Sequence, residues 1–250
     1  MAYKNILILS DNLHLCKELK KKLDKKLSAI QSLNYGISPY SNVFNFSKEL
    51  AEKVLIFDLK EDNTIEEIIL KYDLVISIHS KQFFPKKLVN SLKCINIHPG
   101  YNPINRGWYP QVFAIINNTP IGATIHEIDE ELDHGAIIDQ EYVQYDYSDT
   151  SLTLYNKILE KEIEIFEKNI DSIITNTYTA NKPLVEGNLY LKKDFNNLCE
   201  INLEDKVTFG EVINRLRALT HGDYKNAFFI DPETNEKIFV SINLEKKTSL

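Results

Sequence analysis

Short apolar runs alternate with amphipathic segments through the first hundred residues. Residues 6–9, 54–57, 74–78 and 93–97 are strand-sized runs, and the first is apolar throughout, as in a strand covered on both faces. Segments with helical spacing lie between successive runs. Strands that alternate with helices predict a mainly parallel, doubly wound α/β sheet. Ligands of such sheets bind beyond the carboxyl ends of the strands.

The pattern changes after residue 98. A loop that contains Pro and Gly covers 99–110, and it leads into a short helix and two further predicted strands. A long amphipathic helix then covers 152–174. We expect an α/β domain over 1–180 and a separate C-terminal region over 181–250.

The C-terminal region begins after a short linker and carries a helix and a hairpin. Thr208 and Glu211 have the spacing of a capping box, in which each side chain satisfies a backbone N–H of the other. Two apolar runs, 227–230 and 237–240, flank a turn-rich connection and predict a β-hairpin. Because an isolated hairpin is marginal in water, it should pack on its own domain or on another subunit.

Composition narrows the class of protein. The 250 residues carry a formal net charge of −7, which disfavours a wide nucleic-acid interface. Three widely spaced cysteines, Cys16, Cys94 and Cys199, indicate free thiols and not a disulfide framework or a zinc site. The apolar runs are too short to cross a membrane, and the N-terminus shows no signal peptide, so we expect a cytoplasmic protein with no membrane partner. The first strand–helix loop lacks G-x-G-x-x-G, so a dinucleotide site has little support.

Asn96 and His98 are the first candidates for chemistry. They stand two apart at the end of a predicted strand, so both side chains point to the same side. An imidazole is a general base near neutral pH, and an amide donates to a developing oxyanion. Asp133, in the loop 132–135, is a candidate to orient the imidazole. The alternative is that Asn96 and His98 satisfy loop backbone groups and that 133–135 is a turn.

Motifs around this pair carry a family resemblance. They are Asn96-Ile97-His98-Pro99, Asn102-Pro103, Arg106-Gly107, His126 and Leu132-Asp133-His134-Gly135. Together they resemble the signature of formyltransferases that use N-10-formyltetrahydrofolate, over the segment from His79 to Tyr145. The strings His79-Ser80-Lys81-Gln82, 98–103 and 106–111 are similar to the branch that formylates amino sugars carried on dTDP, such as dTDP-4-amino-4,6-dideoxyglucose.

The resemblance implies a Rossmann-like formyltransferase core, a homodimer built through the C-terminal helix and hairpin, and a part in surface polysaccharide (O-antigen) synthesis. It implies attack of a sugar amine on the formyl carbon, with no metal. Asn96, His98 and Asp133 occupy the three catalytic positions. His98 would take the amine proton, Asn96 would stabilise the oxyanion, and Asp133 would fix His98.

Two further sets of residues are expected to bind the substrates. The resemblance places the pterin of the folate between two segments, Lys81-Gln82-Phe83 and Ile128-Asp129-Glu130, and one of Phe83 and Phe84 is expected to pack in the core instead. Donors for the pyrophosphate are expected from Lys81 and Arg106, from Ser10 and Asn12 at a helix N-terminus, or from Arg217. The remaining residues predicted to bind the dTDP-amino sugar are His79, Pro99, Gly100, Tyr101, Asn102, Trp108, Tyr109 and Gln111.

Other readings of these residues stay open at this level. In one alternative the formyl acceptor is a UDP-amino sugar, and in another it is water, which would make the protein a formyltetrahydrofolate hydrolase. A third alternative is transfer to initiator methionyl-tRNA, although the acidic chain lacks an obvious basic surface for tRNA. A metal-dependent hydrolase built on His79, His98 and His126 matches no zinc spacing. A non-catalytic nucleotide-sugar binding module is the remaining alternative.

Overall fold

A computed structural model describes residues 1–247, and in them a seven-stranded sheet forms the centre of the fold. Its order is β3–β2–β1–β4–β5–β7–β8. The first five of these strands are parallel, and β7 and β8 continue the sheet antiparallel. The strands of the chain are β1 Asn5–Ser10, β2 Ser32–Ile37, β3 Val54–Ile56, β4 Leu74–Ile78, β5 Lys93–His98, β6 Arg106–Gly107, β7 Gly122–Glu127, β8 Ile137–Tyr142, β9 Leu189–Tyr190, β10 Phe228–Ile230 and β11 Lys237–Phe239. The predicted mainly parallel α/β sheet is confirmed.

Polar side chains cap the start of several helices. Asn12 accepts from the Leu15 N–H at the start of α1, and Thr208 with Glu211 forms the predicted capping box of α8. The helices are α1 Leu13–Leu23, α2 Val43–Leu50, α3 Asp62–Lys71, α4 Lys86–Ser91, α5 Pro110–Asn117, α6 Ser151–Thr175, α7 Lys192–Cys199 and α8 Phe209–Leu219, with a 3₁₀ turn over Asp24–Ala29.

The sequence pattern does not predict β2, which lies between β1 and β3. Polar Asn34 and the glycine at 36 interrupt its apolar residues, so its burial is not visible in the sequence. Gly36 is there for packing, because a Cβ at this position would lie 2.5 Å from the Phe57 ring and 2.8 Å from the Leu9 side chain.

Three apolar clusters bury the two faces of the sheet and join the C-terminal region to it. One cluster lies under α1, α2 and α6, and a second lies under α3 and α4. The third contains Ile115 of α5, Leu154 and Ile158 of α6, Leu219 of α8 and Ala227. The C-terminal helix therefore packs on the α/β core of its own chain, while β10 and β11 form the predicted antiparallel hairpin.

The predicted linker is tied to the core by backbone pairing. Asn181 and Ile137 exchange both of their backbone hydrogen bonds, and β9 pairs in parallel with β6. Within residues 1–247, no helix combines the length and the apolarity that a bilayer crossing needs.

Candidate active site

The carboxyl end of β5 brings the three candidate residues together. Asn96 Nδ2 donates to Asp133 Oδ1 over 3.2 Å, and His98 Nδ1 lies 3.5 Å from Asp133 Oδ2. His98 and Asp133 are both buried, at 5% and 10% side-chain exposure. The structure thus brings the three predicted residues together: strand alternation pairs the amide and the imidazole, and a loop from beyond β7 supplies the carboxylate.

His98 presents a free basic nitrogen. Its Nε2 is buried and has no hydrogen-bond partner in the protein. Burial lowers the pKa of His98 to about 4, because desolvation disfavours the cation more than Asp133 favours it. With Nδ1 turned to Asp133, the neutral ring has its proton on Nδ1 and its lone pair on Nε2. Gly100 leaves room for this ring, since a Cβ there would press on Nε2 and lie 2.6 Å from Cδ2.

Asp133 is held as a carboxylate inside the protein. Desolvation alone would raise its pKa, but the neighbouring imidazoles and the N–H of Gly107, 3.1 Å from Oδ2, outweigh this and lower it to about 2. The side chain of Asn102 donates to the Asp133 carbonyl over 2.9 Å. Asp133 has φ of 50°, and His79 and Tyr109, which also face the site, have φ of 50° and 52°. Left-handed backbone at non-glycine residues is uncommon and concentrates at functional sites.

His126 is a fourth member of this cluster. It lies opposite Asn96 in the β5–β7 pairing, and its Nδ1 donates to the Glu127 carbonyl over 2.7 Å. In the neutral ring Nε2 is therefore the acceptor that faces Asn96 Nδ2 at 3.3 Å, and the same nitrogen lies 3.5 Å from Asp133 Oδ1. Both N–H groups of Asn96 thus have partners, and an oxyanion at this amide must compete with the longer contact, the one to His126.

The cluster lies at the floor of a cavity of about 810 Å³. Cavities of this size hold drug-sized ligands. The residues predicted from sequence that line it are Asn96, His98, Asp133, Lys81, Gln82, Phe83, Ile128, Asp129, His79, Pro99, Trp108, Tyr109 and Gln111.

Eight predicted residues lie outside the lining of that cavity. Glu130 pairs with Lys86 on α4. Arg217 is buried and donates from Nη1 to the carbonyls of Asp146 and Asp149, both over 2.9 Å. The other six are Ser10, at the end of β1, and Asn12, the N-cap of α1, with Gly100, Tyr101, Asn102 and Arg106.

The expected pterin segment divides between packing and exposure. Phe84 is buried in the core and Phe83 is 58% exposed at the cavity, as the sequence predicted for one of the two. The Gln82 side chain is not free, because it donates to the Phe57 carbonyl and accepts from the Leu59 N–H, both over 2.9 Å. Gln82 therefore offers backbone groups to a ligand and anchors the segment with its amide.

The far wall of the cavity was not predicted. Ser151 and Tyr155 on α6 face it, and so do His221 and Tyr224, which follow α8. Gln111 donates to Ser151 Oγ over 3.3 Å, and Ser151 Oγ lies 3.0 Å from His221 Nδ1. No short motif marks these residues, because they meet only when the C-terminal region packs on α6. His126 carried a signal, since it lies within the family signature.

A second, smaller cavity of about 170 Å³ adjoins the first across Asp133. The buried guanidinium of Arg106 lines it and pairs with Glu186 over 2.5 Å, so Arg106 is separated from the main cavity. Within the described part of the chain, Glu131, His134 and Glu186 place ligand atoms within 4.8 Å of one another. This set differs from the three histidines named by the metal-hydrolase alternative.

Comparison with known proteins gives the same family. The chain matches the family described as formyl transferase over residues 30–170, more than half of its length, and the N-formyltransferase dimerization C-terminal domain over residues 194–246. The dTDP-4-amino-4,6-dideoxyglucose formyltransferase of Mycobacterium tuberculosis (strain ATCC 25618 / H37Rv) is 48% identical over 181 residues, 72% of this chain and 77% of the relative.

Solved structures agree over nearly the whole chain. A 4-N formyltransferase from Francisella tularensis matches with a TM-score of 0.91 and 47% identity, covering 98% of this chain and 99% of that one. A sugar 3N-formyl transferase, determined in the presence of dTDP and 5-N-formyl-THF, matches with a TM-score of 0.69 and 25% identity, covering 94% and 84%. With the base, the amide and the carboxylate assembled at one strand end, the chain belongs to the formyl transferase family and is an N-formyltransferase.

Proposed function

We propose that the protein transfers the formyl group of N-10-formyltetrahydrofolate to the amine of dTDP-4-amino-4,6-dideoxyglucose. The observation that carries the proposal is the buried, unpartnered Nε2 of His98, whose ring lines a large cavity together with an amide and a carboxylate. The acceptor is proposed from the relative at 48% identity that bears this substrate in its name. A neighbouring structure determined with dTDP and a formyl-folate supports the two ligand classes.

His98 is the proposed base of the transfer. Its low pKa keeps the ring neutral over the whole physiological range, so the Nε2 lone pair is available when the amine attacks the formyl carbon. As the C–N bond forms, the amine nitrogen loses its proton to Nε2, and the same proton is then delivered to the departing N10 of the folate. The Asp133 carboxylate stabilises the imidazolium that exists between these two steps.

Asn96 is the proposed donor to the oxyanion. Negative charge that develops on the formyl oxygen attracts the Asn96 N–H now facing His126, because a charged acceptor forms the stronger hydrogen bond. One such donor changes rates by about 10²–10³. The contact to Asp133 keeps the amide from turning over, so its N–H groups stay directed at the reacting centre.

The cavity lining contains groups that suit both substrates. Phe83, Ile128 and Asp129 line it, with an exposed ring and backbone groups for the pterin. Lys81, Trp108 and Tyr109 also line it, and their ammonium group and aromatic rings suit a nucleotide sugar. We retain these residues as ligand contacts and assign Arg106 and Arg217 to structural pairing.

Direct assay tests the proposal. The purified protein is incubated with N-10-formyltetrahydrofolate and dTDP-4-amino-4,6-dideoxyglucose, with the matching UDP sugars and a no-acceptor control, and products are read by mass. His98→Ala should lower turnover by about 10²–10⁴-fold while the protein stays folded. His14→Ala, the same change at an exposed histidine, is the control.

Each other result has a clear meaning. Near-normal turnover in His98→Ala would overturn the base assignment. Formate release without an acceptor would indicate a formyltetrahydrofolate hydrolase. A preference for a UDP-amino sugar would show that the acceptor is not a dTDP sugar.

We also propose that the protein works as a cytoplasmic homodimer in surface polysaccharide (O-antigen) synthesis, with catalytic residues in 1–180 and the dimer contact in 181–250. Large apolar side chains of the C-terminal region lie exposed: Phe209, Val212, Ile213, Ile230, Ile238 and Phe239. Exposed apolar patches of this kind mark interaction surfaces. The free cysteines support a reducing compartment.

A further inference from the structure

A buried acid–base pair in the cavity wall has no part in the steps above. Ile78 of β4 pairs with Ile97 of β5, so His79 follows its strand beside His98 at the same sheet edge. His79 Nε2 lies 2.9 Å from both carboxylate oxygens of Glu162. Glu162 on α6 is fully buried, and desolvation raises its pKa against the opposing effect of His79. A buried carboxylate beside a cavity calls for a functional explanation.

The direction of the hydrogen bonds around His79 follows from Asn12. Asn12 caps α1 by accepting the Leu15 N–H on Oδ1, so its Nδ2 must point the other way. That Nδ2, which only donates, lies 3.3 Å from Tyr155 Oη and 3.5 Å from His79 Nδ1. The phenol therefore accepts from Asn12 and donates to Nδ1, 3.2 Å away.

The resting chain is thus ordered from the cavity inwards. Tyr155 donates to His79 Nδ1, and His79 Nε2–H donates to Glu162. In this arrangement the Nδ1 lone pair accepts from the phenol and the ring carries its proton on Nε2. A hydroxyl, an imidazole and a carboxylate follow one another along this hydrogen-bonded chain, in the same order as in a hydrolase triad. In such a triad the hydroxyl gives its proton to the oriented imidazole.

The proposed reaction needs such a group. An amine is largely protonated at neutral pH, since amines in proteins titrate at about 8–10, and an ammonium nitrogen has no lone pair for attack. Two protons must leave that nitrogen before the amide product is neutral. His98 accounts for one of them, the one delivered to the departing folate.

We propose that Tyr155, His79 and Glu162 form a second proton acceptor, which deprotonates the bound sugar ammonium before it attacks the formyl carbon. This inference rests on the proposed function. The ammonium gives one proton to Tyr155 Oη while the phenol proton moves to His79 Nδ1, leaving a free amine and a His79 imidazolium paired with the Glu162 carboxylate. No other bond changes, and the proton returns to solvent after product leaves.

Other titratable groups surround this chain and enter the design of the test. His98 lies on β5. His221, in the segment after α8, lies beside Tyr155 with the two rings tilted and their centroids 5.5 Å apart. Tyr224 packs against His221. Because these groups stay in place in the variants below, the difference between variant and wild type isolates the Tyr155 chain.

The first test compares the pH profiles of kcat/KM for Tyr155→Phe, Glu162→Gln and wild type. The variants should lose about tenfold or more near pH 6.5, and the gap should close to about twofold near pH 9, where the acceptor supplies its own neutral amine. Tyr145→Phe is the control, because its hydroxyl is bound to the carbonyls of Ala114 and Thr119 and is not part of the cavity lining.

A purely structural role predicts a different result. A loss by the same factor at both pH values, or no loss, would overturn the inference while the proposed function stands. Wild type that formylates no amino sugar would instead reject the proposed function. The proton order is then tested without turnover, by NMR of ¹⁵N-histidine protein with the His79 signal assigned through His79→Asn. A neutral ring protonated on Nε2 at about pH 7 supports the inference, and a doubly protonated ring or the Nδ1–H tautomer overturns it.

Discussion

Replacing His98 by glutamine should remove a large part of the acid sensitivity of the fold. Burial holds the pKa of this histidine at about 4 in the folded protein, against about 6.5 in an unfolded chain. As the pH falls, the unfolded chain therefore binds the proton first. The stability at stake is fully present above pH 6.5 and is lost as the pH falls towards 4.

The size of the effect follows from the two pKa values. Between about pH 7 and about pH 4.5, this single group should remove about 2.5 kcal/mol from the free energy of unfolding. Urea unfolding at both pH values measures the change for wild type and for His98→Gln. Any constant cost of the substitution cancels in the difference of differences, which leaves the titration of His98 and of Asp133, whose pKa depends on His98.

A matched change separates burial from the mere loss of a histidine. His14 is exposed on α1, and His14→Gln should leave the pH dependence parallel to that of wild type. If the change in the free energy of unfolding between the two pH values is the same for His98→Gln and wild type within about 0.5 kcal/mol, the ring is protonated inside the folded protein. The reasoning about the neutral base then fails.

Three further changes probe the site and the surface. Gly100→Ala should lower kcat by about 100-fold with the fold intact, since its Cβ displaces the His98 ring; unchanged kcat would show that the ring position is not critical. Arg217→Met should cost about 2–3 kcal/mol in urea unfolding by removing the donor to the buried Asp149 carbonyl and to the part-buried Asp146 carbonyl, with KM for the nucleotide sugar unchanged; a raised KM at full stability would restore Arg217 as a ligand. Phe239→Asp should shift light-scattering mass towards monomer, whereas Phe44→Asp on α2 should not; equal masses would refute the dimer surface.

Local patterns were sufficient for much of the fold. Strand-sized apolar runs predicted β1, β3, β4 and β5, and the run of β1 is continuous because that strand is covered on both faces. The capping box of α8 and the hairpin were also predicted, since both depend on residues a few positions apart. The sequence pattern did not predict β2, because this strand is buried by its position between two other strands and not by its own composition.

The site divides along the same line. Asn96, His98 and Asp133 were predicted from strand alternation and a family signature, and the structure brings them together. Glu162 was not predicted, because in the sequence it is one more acidic residue on an amphipathic helix. Only the packing of α6 against the end of β4 turns it into a buried partner of His79.

By itself, the sequence determined most of the strands and helices of the core, the strand that carries the base, and the family. Those features depend on neighbouring residues or on side-chain alternation, which have a fixed period. Tertiary structure decided which of the predicted ligand-binding residues line the cavity, which arginines form contacts within the protein, and how the hydrogen bonds of His79 are directed. These depend on contacts between distant segments, such as Asn12 with Tyr155, and no local pattern of the chain encodes the direction in which such a contact points.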